Sequence, residues 1–203
     1  VSGSSSSINI KAFSPEEVKQ FADTINTNCT LLLALINDIL DLSRIESGSM
    51  DFRFAGYNLT FVMQQIYDSQ RLSMPCGVDL VMKLPEGESK SIVTDSVRLK
   101  QVINNFINNA KKFTTQGAIT FGYETEDPGY TVFFVEDTGS GISEENQRRI
   151  FERFYKVDSF TQGAGLGLSI CQTIVERFRG EINVSSELGK GTRFTVRVPD
   201  FNE

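Results

Sequence analysis

The spacing of hydrophobic residues changes after Gly48 and divides this 203-residue chain into two unequal parts. Before Gly48, apolar side chains recur at alternating three- and four-residue steps from Val18 to Leu42, interrupted only by Asn28. This pattern predicts one long helix over residues 14–47. The expected helix start has an N-cap, a first-turn proline and a capping-box acid, which are Ser14, Pro15 and Glu17.

An apolar stripe of this length is unfavourable in water, so the helix is expected to pack against another surface. Its mean period of about 3.5 residues is typical of a coiled coil or helix bundle. Packing onto the rest of its own chain is the alternative. The period favours a partner helix and therefore predicts a homodimer through residues 15–46.

The second part of the chain mixes helical and alternating patterns. Helices are expected from residue 59 and over 95–113, 144–154 and 165–178, and strands at 52–54, 80–82, 119–123, 130–135, 182–186 and 192–198. Turn sequences join some strands directly, and helices do not alternate regularly with strands. We therefore predict an α+β fold with a mixed, mainly antiparallel sheet and helices on one face.

Composition disfavours several functions. A net charge of −6 argues against nonspecific nucleic-acid binding, which depends on neutralising phosphates. Three widely spaced cysteines without any histidine argue against a disulfide framework or zinc site and favour a reducing, cytoplasmic location. No run reaches the roughly 20 apolar residues of a membrane span, so we expect no membrane contact. The serine-rich residues 1–13 are expected to form a flexible linker.

The helix predicted over residues 95–113 carries a polar stripe that suits a cation and an anion together. Asn105, Asn109 and Lys112 fall at i, i+4 and i+7, along one edge of its polar side. Mg²⁺ accepts a few protein oxygens and completes its shell with water and phosphate. The alternative is a polar surface, but asparagine is a poor helix former and this helix has four in six positions.

Two glycine-rich segments follow. Asp137 comes shortly after a predicted strand and precedes Gly139 and Gly141, so a carboxylate acceptor would stand beside backbone that a flat base can approach. A plain tight turn is the alternative. Gly163-Ala164-Gly165-Leu166-Gly167 opens a helix, where free N–H groups and the helix dipole favour an anion.

A dinucleotide site is the competing interpretation of the second segment, but the spacing is GxGxG and no strand precedes it. The polar residues before it predict a mobile phosphate lid over residues 155–163. Tyr155 and Lys156, at its base, could reach phosphate oxygens.

In this order, the motifs resemble the catalytic, ATP-binding domain of sensor histidine kinases, within the gyrase, chaperone, histidine-kinase and mismatch-repair (GHKL) ATPases. RLKQVINNFINNAKKFT is similar to that family's N box, VEDTGSGI to its first glycine box, IFERFY to its F box, GAGLGLSI to its second glycine box and GKGTRF to its last glycine motif. The resemblance covers about residues 49–199 and implies a catalytic domain over 49–203. The implied architecture is the two-layer α/β sandwich of the Bergerat fold.

The resemblance also implies roles for individual residues. Asn109 with Asn105 would bind Mg²⁺, Asn105 and Lys112 would act in catalysis, and Asp137 would accept a hydrogen bond from the adenine amine. The full set of implied nucleotide contacts is Asn109, Lys112, Asp137, Gly139, Gly141, Ile142, Tyr155, Lys156, Gly163, Gly165, Leu166, Gly167, Leu168 and Thr192.

The long helix ends in LINDILDLSRIESG, which resembles the second helix of the family's dimerisation and phosphoacceptor hairpin. Residues 14–48 are accordingly predicted to be part of that hairpin. The family's acceptor histidine lies on the first helix, and this chain has no histidine. The resemblance implies a longer parent, a two-component sensor kinase that donates the γ-phosphate of ATP to that histidine and signals to the receiver domain of a response regulator. The parent is expected to be membrane-bound, with this part in the cytoplasm.

Two other functions are weighed against the kinase. Hydrolytic members of the superfamily carry a water-activating glutamate one turn before the magnesium-binding asparagine, where this chain has Asn105. An amide cannot accept the proton, which disfavours a GHKL ATPase. A non-catalytic nucleotide-sensing or dimerisation module remains the other alternative, since intact nucleotide motifs are compatible with binding alone.

Overall fold

A computed structural model describes residues 13–87, 89–126, 129–157 and 163–200. Its helices are α1 (Pro15–Glu46), α2 (Leu59–Gln70), α3 (Ser96–Phe113), α4 (Glu144–Gln147) and α5 (Gly167–Arg177), with a 3₁₀ turn over Arg71–Ser73. Its strands are β1 (Ala55–Asn58), β2 (Val78–Lys83), β3 (Ser91–Thr94), β4 (Gly117–Glu126), β5 (Tyr130–Asp137), β6 (Glu181–Glu187) and β7 (Gly191–Pro199). Residues 1–12 of the predicted linker and residues 127 and 128, between β4 and β5, lie outside the described ranges.

Local sequence explains where the main helices begin. The predicted capping box of α1 forms: the Ser14 hydroxyl accepts the Glu17 N–H at 3.2 Å, and the Glu17 carboxylate accepts the Ser14 N–H at 2.8 Å. Asp95 caps α3 and accepts the first N–H groups of that helix at 2.9 and 3.0 Å. Its second carboxylate oxygen accepts the Arg53 N–H at 2.8 Å, so the same cap also fixes the segment that follows α1.

Five strands form the main sheet in the order β2-β4-β5-β7-β6. Only the β2–β4 pair is parallel among them, and the other neighbours are antiparallel. β1 and β3 form a separate antiparallel pair. Side chains on one face of the main sheet are buried with α2, α3 and α5 in a single core, including Ile119, Phe121, Phe133, Val135, Phe194 and Val196. The predicted α+β fold, with helices on one face of a mainly antiparallel sheet, is confirmed.

The strand predicted at 52–54 is wrong by a few residues. Phe52 and Phe54 both place their rings about 6.0 Å from Phe178, so these side chains fix the chain against the end of α5 instead of forming a ladder. The ladder starts at Ala55 and pairs with β3, which the sequence pattern did not predict.

The helix predicted over 144–154 is also shorter, since α4 has four residues and turns follow it. Phe154 adopts a left-handed φ of 63° and its N–H bonds Gly165 at 2.9 Å, which is incompatible with a continuing helix. Gly165 has a φ of 71°, so α5 starts at Gly167 and not at residue 165 as predicted.

α1 is exposed over most of its length and docked only at its C-terminal end. Its predicted stripe remains open to solvent, with exposed Val18, Phe21, Ile25, Leu32 and Ile39. Leu42 and Ile45, by contrast, pack against the core of the following domain. Among the described residues, packing onto the same chain therefore covers only the last turns of α1.

α1 is also long and apolar enough to cross a membrane by length and composition, which departs from the expectation of no such segment. A helix of a soluble bundle meets the same criterion. Asp41, near the C-terminal end of this helix, is 9% exposed and pairs with Arg98 of α3.

Candidate functional site

The amides of α3 line one cavity of the domain. Because the apolar residues of α3 face the core, Asn105, Asn109 and Lys112 face the cavity. Asn109 donates through Nδ2 to Asn105 Oδ1 at 3.2 Å, which leaves the Asn109 carbonyl oxygen able to face a cation. Within the described ranges, no group of three His, Cys, Asp or Glu could hold a metal. The amides therefore fit a Mg²⁺ ion that takes its other ligands from phosphate and water.

Asp137 lies at the end of β5, at another wall of the same cavity. Its carboxylate is almost buried and accepts the Gly139 N–H at 2.8 Å. Burial raises the pKa of Asp137, hydrogen bonds from the backbone of Gly139 and Thr192 lower it, the nearby Glu136 raises it, and the Thr114 hydroxyl lowers it. The group is an acceptor in a mainly apolar wall, as recognition of an exocyclic amine requires.

Thr192 and Ile142 line the cavity beside Asp137. Thr192 is opposite Asp137 in the β5–β7 ladder, and its hydroxyl lies 2.9 Å from that of Ser186. The same Ser186 hydroxyl accepts the Ile142 N–H at 2.8 Å. One serine thus connects the loop after β5 to the β6–β7 hairpin.

Close packing explains the two glycines after Asp137. A Cβ on Gly139 would lie 2.4 Å from the Phe113 carbonyl oxygen, and one on Gly141 would lie 2.1 Å from that of Glu187. Gly141 lines the cavity itself, whereas Gly139 is not among its lining residues and acts on the site through its bond to Asp137.

The start of α5 closes the other end of the cavity. Gly163, Gly165, Gly167 and Leu168 line it, and a Cβ on Gly167 would lie 2.2 Å from Asn105 Nδ2. The first free N–H groups of α5 are therefore beside the α3 amides, where an anion and its cation would meet. Leu166 was expected in the nucleotide site, but its side chain is 1% exposed and packs in the core.

Tyr155 and Lys156 also line the cavity. The Tyr155 hydroxyl donates to Asn146 at 2.7 Å, and the Arg149 guanidinium lies 4.3 Å above its ring. This tyrosine is therefore held against the α4 region, and its predicted phosphate contact stays a prediction. Residues 158–162 of the predicted lid lie outside the described ranges.

Several lining residues were not predicted. Ser140, Ile150, Ala164 and Phe194 lie within the quoted motifs, and Val157 follows the F box. Asp38 comes from α1, within the segment LINDILDLSRIESG, which was not expected to contribute to the nucleotide site. Burial raises the pKa of Asp38, Asp41 raises it further, and Lys112 lowers it. Burial lowers the pKa of Lys112, Asp38 raises it, and Lys156 lowers it again.

A family model described as histidine kinase-, DNA gyrase B- and HSP90-like ATPase matches residues 94–202, more than half of the chain and all of the cavity except Asp38. The chain belongs to this family. Its matched region begins just before α3 and contains each motif that lines the site.

Relatives among known proteins are sensor kinases. The autoinducer 2 sensor kinase/phosphatase LuxQ of Vibrio parahaemolyticus is 34% identical over 194 residues, 91% of this chain and 23% of that protein. Sensor histidine kinase RcsC of Escherichia coli is 34% identical over 196 residues, 91% of this chain and 20% of that protein. This chain therefore spans about a fifth of the length of these relatives.

The fold is shared with solved kinase structures. Full-length ShkA in complex with AMPPNP superposes with a TM-score of 0.81 at 27% identity, over 95% of this chain and 41% of that one. The superposition includes α1 as well as the sheet and its helices, since it leaves only a twentieth of the chain uncovered.

Proposed function

We propose that this chain is the ATP-binding catalytic part of a two-component sensor histidine kinase, and that it donates the γ-phosphate of ATP to a histidine outside the chain. The observation that supports this most is the convergence of three elements on one cavity: the α3 amides, Asp137 at the end of β5, and the glycine-rich start of α5. They suit, respectively, a hard cation, an adenine amine and phosphate oxygens.

Each group has one task in this proposal. Asp137, held by Gly139, accepts the adenine amine. Asn109 and Asn105 bind Mg²⁺, while Lys112, Lys156 and the first N–H groups of α5 bind phosphate oxygens. ATP supplies the phosphoryl group. Positioning and charge neutralisation by these residues then provide the catalysis, as in phosphoryl transfer generally.

Hydrolysis is disfavoured by the composition of α3. Its 18 residues contain no Asp or Glu, and Asn105 occupies the position where a hydrolytic relative carries its base. Asp38 and Asp137 line the cavity, but neither lies on α3, and Asp137 accepts the Gly139 N–H. A donor to another protein group is therefore better supported than an ATPase.

The proposal includes partners and a location. The exposed apolar stripe of α1 supports a homodimer through residues 15–46, as part of a four-helix bundle. Since the chain contains no histidine, the acceptor must be on another segment, and the receiver domain of a response regulator would take the phosphate from it. We place this part in the cytoplasm, without membrane contact, in a membrane-bound sensor.

Transfer in trans tests the proposal. The chain is mixed with Mg²⁺, γ-labelled ATP and a helical hairpin that carries the acceptor histidine, with an alanine variant of that histidine as the control. We expect label that is acid-labile and base-stable on the histidine hairpin, increasing with its concentration, and none on the chain alone. Acid-labile label on the chain alone would indicate another nucleophile, while ATP binding without transfer would favour the nucleotide-sensing alternative.

A further inference from the structure

A set of polar contacts docks the C-terminal end of α1 on the catalytic domain. The Asp41 carboxylate, almost buried, accepts hydrogen bonds from Arg98 at 3.2 Å and from Gln101 at 2.7 Å, both on α3. Glu46 pairs with Arg153 at 2.7 Å. The contacts of Asp41 and Glu46 lie at two levels of α1, so together they set its rotation and its height against the catalytic domain.

That docking brings Asp38 to the cavity. Asp38 precedes Asp41 by three residues, so both carboxylates project from the same side of α1. Asp38 lines the cavity together with Asn105, Asn109 and Lys112. Its charge acts on Lys112 and also on the buried Cys171 of α5, whose pKa burial raises most and Asp38 raises further. Asp38 is therefore one of the side chains at the part of the cavity formed by the α3 amides and Lys112.

We infer that Asp38 is a specificity-determining residue of the nucleotide pocket, and that in the docked position of α1 it disfavours ATP relative to ADP. The inference rests on the proposed ATP site. Two effects act in the same direction. The Asp38 carboxylate repels an added phosphate. It also attracts the Lys112 ammonium, which weakens the attraction between that ammonium and the phosphate.

The effect has a defined dependence on Mg²⁺. A cation at the α3 amides neutralises much of the phosphate charge, so repulsion by Asp38 should be strongest without Mg²⁺. If Asp38 were instead a ligand of the cation, its removal would weaken ATP binding, and only in the presence of Mg²⁺. The sign of the change thus separates a repelling carboxylate from a coordinating one.

The test is calorimetric titration of ATP and ADP, each with Mg²⁺ and with a chelator, into the wild-type chain and three variants. Asp38→Asn removes the charge with little change of shape, and Asp38→Lys reverses it. Asp23→Asn is the matched control, because Asp23 is an exposed carboxylate on the same helix, away from the cavity. Thermal unfolding of each variant checks that α1 and the domain stay folded.

For Asp38→Asn we expect ATP to bind about three- to tenfold more tightly without Mg²⁺, with a smaller gain for ADP, and Asp38→Lys should extend the gain. The control should match wild type. Equal changes for ATP and ADP, no change, or weaker Mg²⁺-ATP binding would each overturn the inference. Failure of the wild-type chain to bind either nucleotide would instead overturn the proposed function.

Discussion

Replacing Asp137 with asparagine should weaken nucleotide binding without weakening the fold. The side chain is 7% exposed, and one of its oxygens accepts the Gly139 N–H at 2.8 Å. Asparagine can keep that bond through its carbonyl oxygen. On its other side, however, it presents an NH₂ group where the carboxylate presents an acceptor. The asparagine NH₂ group would then face the exocyclic amine of adenine, and both groups are hydrogen-bond donors.

The magnitude follows from the charge of the lost acceptor. A hydrogen bond to a charged group contributes roughly 1.5–3 kcal/mol, so the dissociation constants of ATP and ADP should both rise roughly ten- to 150-fold. The cost falls on both nucleotides alike, because Asp137 is expected to contact the base and not the phosphates.

The stability of the nucleotide-free protein should not fall together with the nucleotide affinity. Since burial raises the pKa of Asp137 in the folded chain, the folded state binds its proton more tightly than the unfolded chain does. Protonation of this group therefore adds to the free energy of unfolding as the pH falls through the raised pKa. That contribution is lost as the pH rises through the raised pKa. At neutral pH the ionised carboxylate is a cost, and removing it offsets the loss of the hydrogen bond that the carboxylate accepts from the Thr192 backbone, so the melting temperature of the nucleotide-free protein should change little.

Calorimetric titration with both nucleotides and thermal unfolding without nucleotide measure the two effects separately. Asp79→Asn is the control, because it removes an exposed carboxylate of β2 outside the cavity. Unchanged affinity in Asp137→Asn would remove this residue from the adenine site. A loss of affinity together with a lower melting temperature would mean that the carboxylate supports the loop and not the ligand.

Two further predictions concern α3 and α1. Asn109→Ala should remove most of the Mg²⁺-dependent part of ATP affinity and leave ADP binding with a chelator nearly intact. Calorimetric titration measures this, with the exposed Asn108→Ala as the control. Equal losses of affinity with and without Mg²⁺ would show a structural role. Leu32→Glu should shift the chain toward monomer in analytical ultracentrifugation, because it puts a charge in the exposed apolar stripe. The control Asn37→Glu, on the opposite side of α1, should not. Unchanged association in Leu32→Glu would exclude the α1 stripe as the interface.

The sequence allows prediction of elements whose pattern is long and whose caps are explicit. α3 has both, since 18 residues carry a regular apolar stripe after the Asp95 cap, and its bounds were predicted to within a residue. β3 has four residues, too few to show a period, and its partners in β1 lie 33 to 39 positions away in sequence. α4 ends early because of Phe154, whose left-handed backbone is set by a hydrogen bond to Gly165, a contact that local propensity does not contain.

The same distinction holds in the cavity. Asn105, Asp137 and Gly167 are predictable, because each provides chemistry or space that few other residue types provide there. Asp38 is not, because its place depends on the docking of α1 through Asp41 and Arg98, which are 57 residues apart. No spacing within either segment encodes that contact.

Docking and dimerisation use different surfaces of α1, and this has a consequence for the proposed reaction. Asp41 and Ile45 face the catalytic domain, while Leu32 and Ile39 remain exposed for a partner helix. The helix can therefore hold the catalytic domain and a second helix at the same time. The Lys112 ammonium, however, interacts with Asp38, and this interaction competes with its attraction for a phosphate. In the proposed site, binding of the third phosphate and docking of α1 therefore weaken each other by the same factor.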